Sequence, residues 1–276
     1  MMWKKLLSNR RNQITPIIIS LMGMFSTAEV AFSFGITTLG SPETINFNSF
    51  NGSGFSPNPT AGQLDSDDWA ITGLSDGNLT YGGTGTTGDF ARGTSTGGVT
   101  TGGIYAFDVG GGNIALGIQP VGADFTPGTI TLRLENNTGN TINNLAISYD
   151  IFAYNDQPRA NSLNFSYSSD DSSYTNVPLL DFTSTEAAGT PSWISNPRST
   201  TINSLSLTSG NFFYLRWTGD DVSGAGSRDE FALDNISITA TGAATPVPFE
   251  FSPGLGLLIL GVWLTGFQLK KCQQSK

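Results

Sequence analysis

From position 44 onward the chain alternates apolar and polar residues in short runs separated by clusters of Gly, Asn, Asp, Pro and Ser. No stretch before Gly254 keeps a 3.6-residue apolar period for three turns. The pattern predicts strands throughout. Ile130, Leu132 and Leu134 alternate with Thr129, Thr131, Arg133 and Glu135, which places one face of that strand in a core and the other in water. Leu145, Ile147, Tyr149 and Ile151 repeat the pattern, and Leu163, Phe165 and Tyr167 do so again after the loop 154–160. Further strands are expected at 44–50, 69–72, 103–109, 177–182, 201–207, 211–217 and 231–240. About ten strands cannot lie in one flat sheet with its apolar face exposed, so two sheets must pack face to face. The expectation is an all-β, two-sheet, jelly-roll-like β-sandwich; an immunoglobulin-like sandwich fits less well with this many strands and such long loops. Between Gly73 and Gly112 glycine and threonine dominate, which predicts long loops and loosely packed edge strands.

The two ends break the strand pattern. Lys4, Lys5, Arg10 and Arg11 precede the apolar run 14–25, and the small residues Ser26-Thr27-Ala28 follow it, so residues 1–28 read as a secretory signal peptide cleaved after Ala28. The sandwich is then expected over 29–242 and a linker over 243–248. Residues 249–271 hold a second apolar run, 254–269, that ends on Lys270 and Lys271, and 272–276 follow as a tail. As a helix its sixteen residues reach about 24 Å, short of a bilayer core of about 30 Å unless 249–253 extend it. Lysines at that end act as a stop-transfer cluster and are expected to stay cytoplasmic, which places the sandwich outside.

The order Pro248-Phe249-Glu250, apolar helix, terminal lysines resembles the PEP-CTERM sorting signals, and most closely the PFE-CTERM variant of cyanobacterial surface proteins. The likeness covers about the last 25 residues. It implies that a membrane-embedded exosortase-type cysteine transpeptidase reads the motif, removes the helix and passes the protein to the cell surface. An uncleaved tail anchor is the plainer alternative, since one apolar segment capped by lysines is all that anchoring requires.

Charge narrows the partners. Seven of the 13 Lys+Arg lie in the two end segments, leaving six arginines and no lysine against 21 acids over 29–248, a net charge of −15. A surface this acidic cannot neutralise phosphates, which argues against nucleic acid. The chain has no histidine, and its one cysteine, Cys272, lies beyond the last apolar run, so no disulfide staples the sandwich. Without histidine or an exported lysine, the Gly93-Thr94-Ser95-Thr96-Gly97 match to a nucleophile elbow has no base to activate its serine. The glycine pattern at 83–88 matches a dinucleotide fingerprint but lacks the strand and helix that would carry it.

The densest chemistry is 218–235, where Asp220, Asp221, Asp229, Glu230 and Asp234 surround a glycine-rich stretch and offer the hard oxygens that calcium prefers. Simple alternation puts Asp234 on one face with Ala232, Ile236 and Ile238. If that face is inward, the carboxylate needs a structural calcium ion, Arg228, Arg216 or backbone amides. Paired carboxylates also admit a rival reading, a secreted glycan-active hydrolase. Tyr154 and Trp193 sit in polar contexts read as loops, where an aromatic face can stack on a sugar ring or pack beneath the loop. The segment 150–241, with FFYLRWTGDD and SRDEFALDNISITA, resembles a β-sandwich module of secreted bacterial proteins, and FALDNISITA is similar to the closing strand of lectin-like and carbohydrate-binding jelly rolls. That resemblance implies an accessory module, binding or structural, and an extracellular polysaccharide as its ligand if it binds one. The sequence therefore points to a non-enzymatic exported surface or matrix protein.

Overall fold

The computed structural model describes residues 34–242. The expected signal peptide, linker, sorting motif, apolar helix, Lys270, Lys271 and tail lie outside them. No helix among the described residues is long and apolar enough to cross a membrane.

The chain is all-β. In order it forms β1 (Phe34–Ile36), β2 (Pro42–Ile45), β3 (Phe55–Ser56), β4 (Leu64–Asp65), β5 (Trp69–Leu74), β6 (Gly77–Leu79), β7 (Thr94–Ser95), β8 (Gly103–Asp108) and β9 (Ile114–Gln119). It continues with β10 (Gly128–Asn136), β11 (Asn144–Tyr154), β12 (Arg159–Ser168), β13 (Thr175–Asn176), β14 (Phe182–Thr183), β15 (Trp193–Ile202), β16 (Phe212–Gly224) and β17 (Glu230–Thr241). One sheet runs β13-β12-β16-β10-β5-β6, with β1 added on β10 and β14 on β12. The other runs β15-β11-β17-β9-β8-β7, with β2 added on β17. The expected two-sheet sandwich is the observed architecture.

Between the sheets lies one apolar core. Ile130, Leu132 and Leu134 of β10 stand opposite Trp217, Leu215 and Phe213 of β16, and all six are buried. Leu145, Ile147, Tyr149 and Ile151 of β11 face them from the other sheet. Trp217 is the hub, with the Tyr149 ring edge-on at 5.3 Å and the Phe165 ring at 5.6 Å.

Several boundaries differ from the sequence pattern, each for a local reason. Pro178 cannot donate to a ladder, so the strand expected at 177–182 is instead a 3-10 turn at Pro178–Leu180 that leads into β14, and the short β13 ends just before it. The strand expected at 44–50 ends at Ile45. The strand expected at 201–207 is instead β15, which starts at Trp193 and carries Pro197 on the edge of its sheet, where a missing N–H costs nothing. Only Leu207 of the expected segment adds an isolated bridge, to Ile142. β16 runs on to Gly224, so Asp220 and Asp221 belong to a strand and the true turn is short. β9, which no expected strand covers, begins just beyond the glycine- and threonine-rich stretch 73–112. Its outward positions are Ala115 and Gly117, and the Phe107 ring lies so close over Gly117 that a Cβ there would meet it at 1.9 Å.

The largest departure is in β17. Ser148 pairs with Ser237 and Asp150 with Asp234, so Tyr149 alone stands opposite Asn235 and Ile236. This is a β-bulge, with Asn235 at φ 53°. It resets the alternation: Phe231 and Leu233 point into the main core before it, and Ile236, Ile238 and Ala240 after it. Asp234 therefore shares a face with Ala232 but not with Ile236 and Ile238, and that face is the outer one. It is nonetheless fully buried. It sits where β17 changes neighbours, from β9 at 231–233 to β2 at 236–239. One carboxylate oxygen accepts the Asn113 side-chain amide at 2.9 Å, and the Phe47 and Asn235 backbone N–H groups lie near enough to favour the charged form, although burial raises the carboxyl on balance. Asn113 is the side-chain partner of Asp234, whereas Arg216 pairs with Asp171 and Arg228 with Asp221.

Replacing Asn235 by valine, which resists a left-handed backbone, should cost about 1–2 kcal/mol in urea unfolding, and glycine at the same position less than half of that. Two other carboxyls give the fold a pH dependence. Burial pushes Glu230 from 4.5 up to about 7, although the Val99 N–H donates to it, and pushes Asp68 from 3.8 up to about 7 beside the Phe34 N–H. Both folded values lie above the unfolded ones, so their contribution to stability is complete below about pH 4 and is lost as pH rises through about 7. The melting temperature should fall between pH 5 and pH 8, and Glu230→Gln should flatten part of that slope.

Candidate functional site

The outer face of the seven-stranded sheet carries an unusual amount of aromatic surface for a side turned away from the core. Ala153 and Ile151 of β11 point inward, so Tyr154, Phe152 and Asp150 point outward. Across the ladder their partners on β15 are Trp193, Ser195 and Pro197. On β8 the outward residues are Tyr105 and Phe107, and on β17 they are Glu230 and Ala232. The two aromatics read as loop residues are thus strand residues in one cross-strand pair: Trp193 opens β15 opposite Tyr154, which closes β11. Their rings lie 5.2 Å apart at 56°. Phe107 meets Trp193 at 4.9 Å and stacks on Tyr105 at 5.1 Å.

The glycine-rich segment 96–101 straps the upper edge of this face. Trp193 Nε1 donates to the Thr96 carbonyl at 2.9 Å, the Val99 N–H donates to Glu230 Oε1 at 2.7 Å, and the Tyr105 hydroxyl donates to the Thr101 carbonyl at 2.9 Å. Gly97, at φ 104°, passes the Tyr154 ring so closely that a Cβ would lie 2.9 Å from it. Phe107 is sealed beneath this cluster, while Tyr154, Trp193 and Phe152 stay half-buried and present ring surface to solvent.

Below the aromatic end the face becomes polar. Asp150 accepts the Ser195 hydroxyl at 3.1 Å on one oxygen and the Asn235 side-chain amide at 2.8 Å on the other. Farther along, Ala146, Ser148, Ser199, Thr201, Ser237 and Thr239 line a shallow groove of about 300 Å³. From Tyr154 to Ser148 the outward side chains of β11 span about 20 Å.

The five acids offered as calcium ligands are not brought together. Asp220 is exposed and accepts the Asp221 N–H. Asp221 is gripped by the Arg159 fork, which holds its carboxyl below the usual range, and lies 3.5 Å from Arg228. Asp229 is fully buried and accepts the Gln157 N–H at 3.1 Å; burial raises its carboxyl. Glu230 is held by the strap, and Asp234 by Asn113. Among the described residues no three carboxylates gather in a way that would hold a metal ion. Asp229 and Glu230, the pair a hydrolase would use, are fixed by different segments, 157 and 99.

Sequence reasoning missed Asp150, Asn235, Phe107 and the strap. The outward positions Asp150, Phe152 and Tyr154 were visible as an alternation, but their partners depended on a strand that Pro197 disguised.

No family model matches the chain, and no curated protein matches it. Among solved structures it is similar to the CBM22-1 xylan-binding domain of a Paenibacillus barcinonensis protein, at 11% identity and a TM-score of 0.37, over 76% of this chain and 100% of that one. A cleaved adhesin domain of Lys-gingipain from Porphyromonas gingivalis matches at 13% identity and a TM-score of 0.37, over 74% and 100%. The xylohexaose-bound CBM22-1 and GH10 modules of a Clostridium thermocellum xylanase match at 12% identity and a TM-score of 0.31, over 64% of this chain but only 27% of that one. Overlap of this extent leaves the reading of the face to its own geometry.

Proposed function

We propose that this is an exported, non-enzymatic surface or matrix protein whose sandwich holds a polysaccharide along the outer face of the seven-stranded sheet. The observation that carries the reading is the pairing of Tyr154 with Trp193, two half-exposed rings on rigid neighbouring strands, at the head of a strip of Ser, Thr, Asp and Asn side chains. Aromatic faces take the apolar face of a sugar ring, and the short polar side chains take its hydroxyls. Strands hold these groups in place before binding, so little ordering entropy is lost. Between residues 29 and 248 the chain is acidic and has no lysine, which disfavours nucleic acid on the same surface.

Delivery is the second half of the proposal. The basic and apolar N-terminus supports export, and Pro248-Phe249-Glu250 with its apolar run and lysines supports sorting by an exosortase-type transpeptidase from a membrane-held precursor.

In affinity electrophoresis of the protein through gels containing soluble polysaccharides, Trp193→Ala and Tyr154→Ala should each weaken binding roughly three- to tenfold, the worth of one aromatic contact. Unchanged mobility shifts in both variants would remove the face as the binding site. For the tail, mass spectrometry of protein from its native host should find a mature chain ending near Glu250, and Phe249→Ala with Glu250→Ala should leave an intact, membrane-retained precursor. A mature chain that still ends at Lys276 rejects sorting.

A further inference from the structure

Asp150 is the one carboxylate on the open part of this face that is oriented by two side-chain donors. Ser195 holds one oxygen at 3.1 Å and Asn235 the other at 2.8 Å, so the group is fixed in plane and direction between the Phe152 ring and the Ser148 hydroxyl. An ionised carboxylate only accepts, and each of its oxygens has a lone pair beyond the one already used. It can take two hydroxyls, and charge-assisted bonds of that kind are about twice as strong as neutral ones.

No cation is at hand to serve an anionic ligand. Each of the six arginines of the described residues is engaged elsewhere. Arg92 pairs with Asp89, Arg159 and Arg228 with Asp221, and Arg216 with Asp171. Arg133 lies over the Tyr81 and Phe212 rings, and Arg198 over Phe182. Glu230 and Asp234 lie on the same side of the sheet but are buried, and burial raises both carboxyls, so the negative charge presented to a ligand on this part of the face is that of Asp150. A sugar carboxylate or sulfate would therefore meet Asp150 with nothing to offset the repulsion.

We propose, resting on the polysaccharide reading above, that Asp150 is the specificity-determining residue of this face. It accepts vicinal hydroxyls of an uncharged glycan and excludes glycans that carry carboxylate or sulfate groups. Ser195 and Asn235 act through it as positioning residues.

The test uses the full-length protein with two sets of soluble polymers: xyloglucan, mixed-linkage glucan, galactomannan and xylan in one, polygalacturonate, alginate and dextran sulfate in the other. The expected result is binding to at least one neutral polymer and to none of the acidic ones, with affinity for the neutral polymer falling tenfold or more in Asp150→Asn. Ser195→Ala should lose less, and circular dichroism should stay unchanged in both, since the group lies at the surface. Neutral-polymer affinity within twofold of the parent in Asp150→Asn, while Trp193→Ala loses it, overturns the role of Asp150 and leaves the polysaccharide reading standing. Preferential binding to an acidic polymer also overturns the inference alone. Binding to neither set overturns both.

Discussion

Strand β17 occupies the middle of its sheet, and it does so by storing one extra residue opposite Tyr149. Its neighbour on one side changes along its length, from β9 at 231–233 to β2 at 236–239, and the extra residue falls where that change occurs. The bulge at Asn235 lies at that junction, and the buried Asp234 carboxylate sits there, accepting the Asn113 side chain beside the Phe47 and Asn235 amides. A fully buried carboxylate is expensive unless donors surround it. Here Asn113 donates to one oxygen, and burial raises the carboxyl toward its neutral form.

The same bulge shapes the exposed side. By turning two consecutive residues outward it buries Asp234 and leaves Asn235 free to reach Asp150. The orientation of Asp150 thus depends on the backbone conformation of a residue on the neighbouring strand. At the upper end a different device works to a similar end. The strap 96–101 presses on Tyr105, Tyr154 and Trp193 and seals Phe107, which fixes the ring directions at a cost in buried carboxyl, since Glu230 must sit beneath it. Glycine earns its place there by close approach: a side chain at Gly97 would collide with the Tyr154 ring.

The two faces of the seven-stranded sheet therefore have separate tasks. Its inner face carries Ile147, Tyr149, Ile151 and Leu233 against Trp217 and Phe165, where exclusion of water is the whole source of stability. Its outer face carries rings that are only half covered and polar groups that are held but not used up. A core needs no such half-covered rings, and it is on them that the proposed polysaccharide site rests.

The alternating runs at 130–134, 145–151 and 163–167 by themselves determined an all-β chain whose strands each bury one face, because period-two alternation makes one side apolar; the pairing into two sheets was decided by the tertiary structure. Composition determined that neither disulfides nor a histidine-based site hold or drive the described domain. The aromatic candidates Tyr154 and Trp193 were legible as residues of interest, but not as partners, because cross-strand pairing joins positions 39 apart and Pro197 hides the strand that links them. The acids of 218–235 looked like one cluster because sequence neighbours look close; an extended backbone sends consecutive side chains to opposite faces, and the long β16, the short turn and the bulge scattered them. Asp234 was legible as a buried charge, whereas its face and its donors were not. Alternation gives a side only while the count is unbroken, and a single extra residue, visible only once β17 is paired with β11, reverses it.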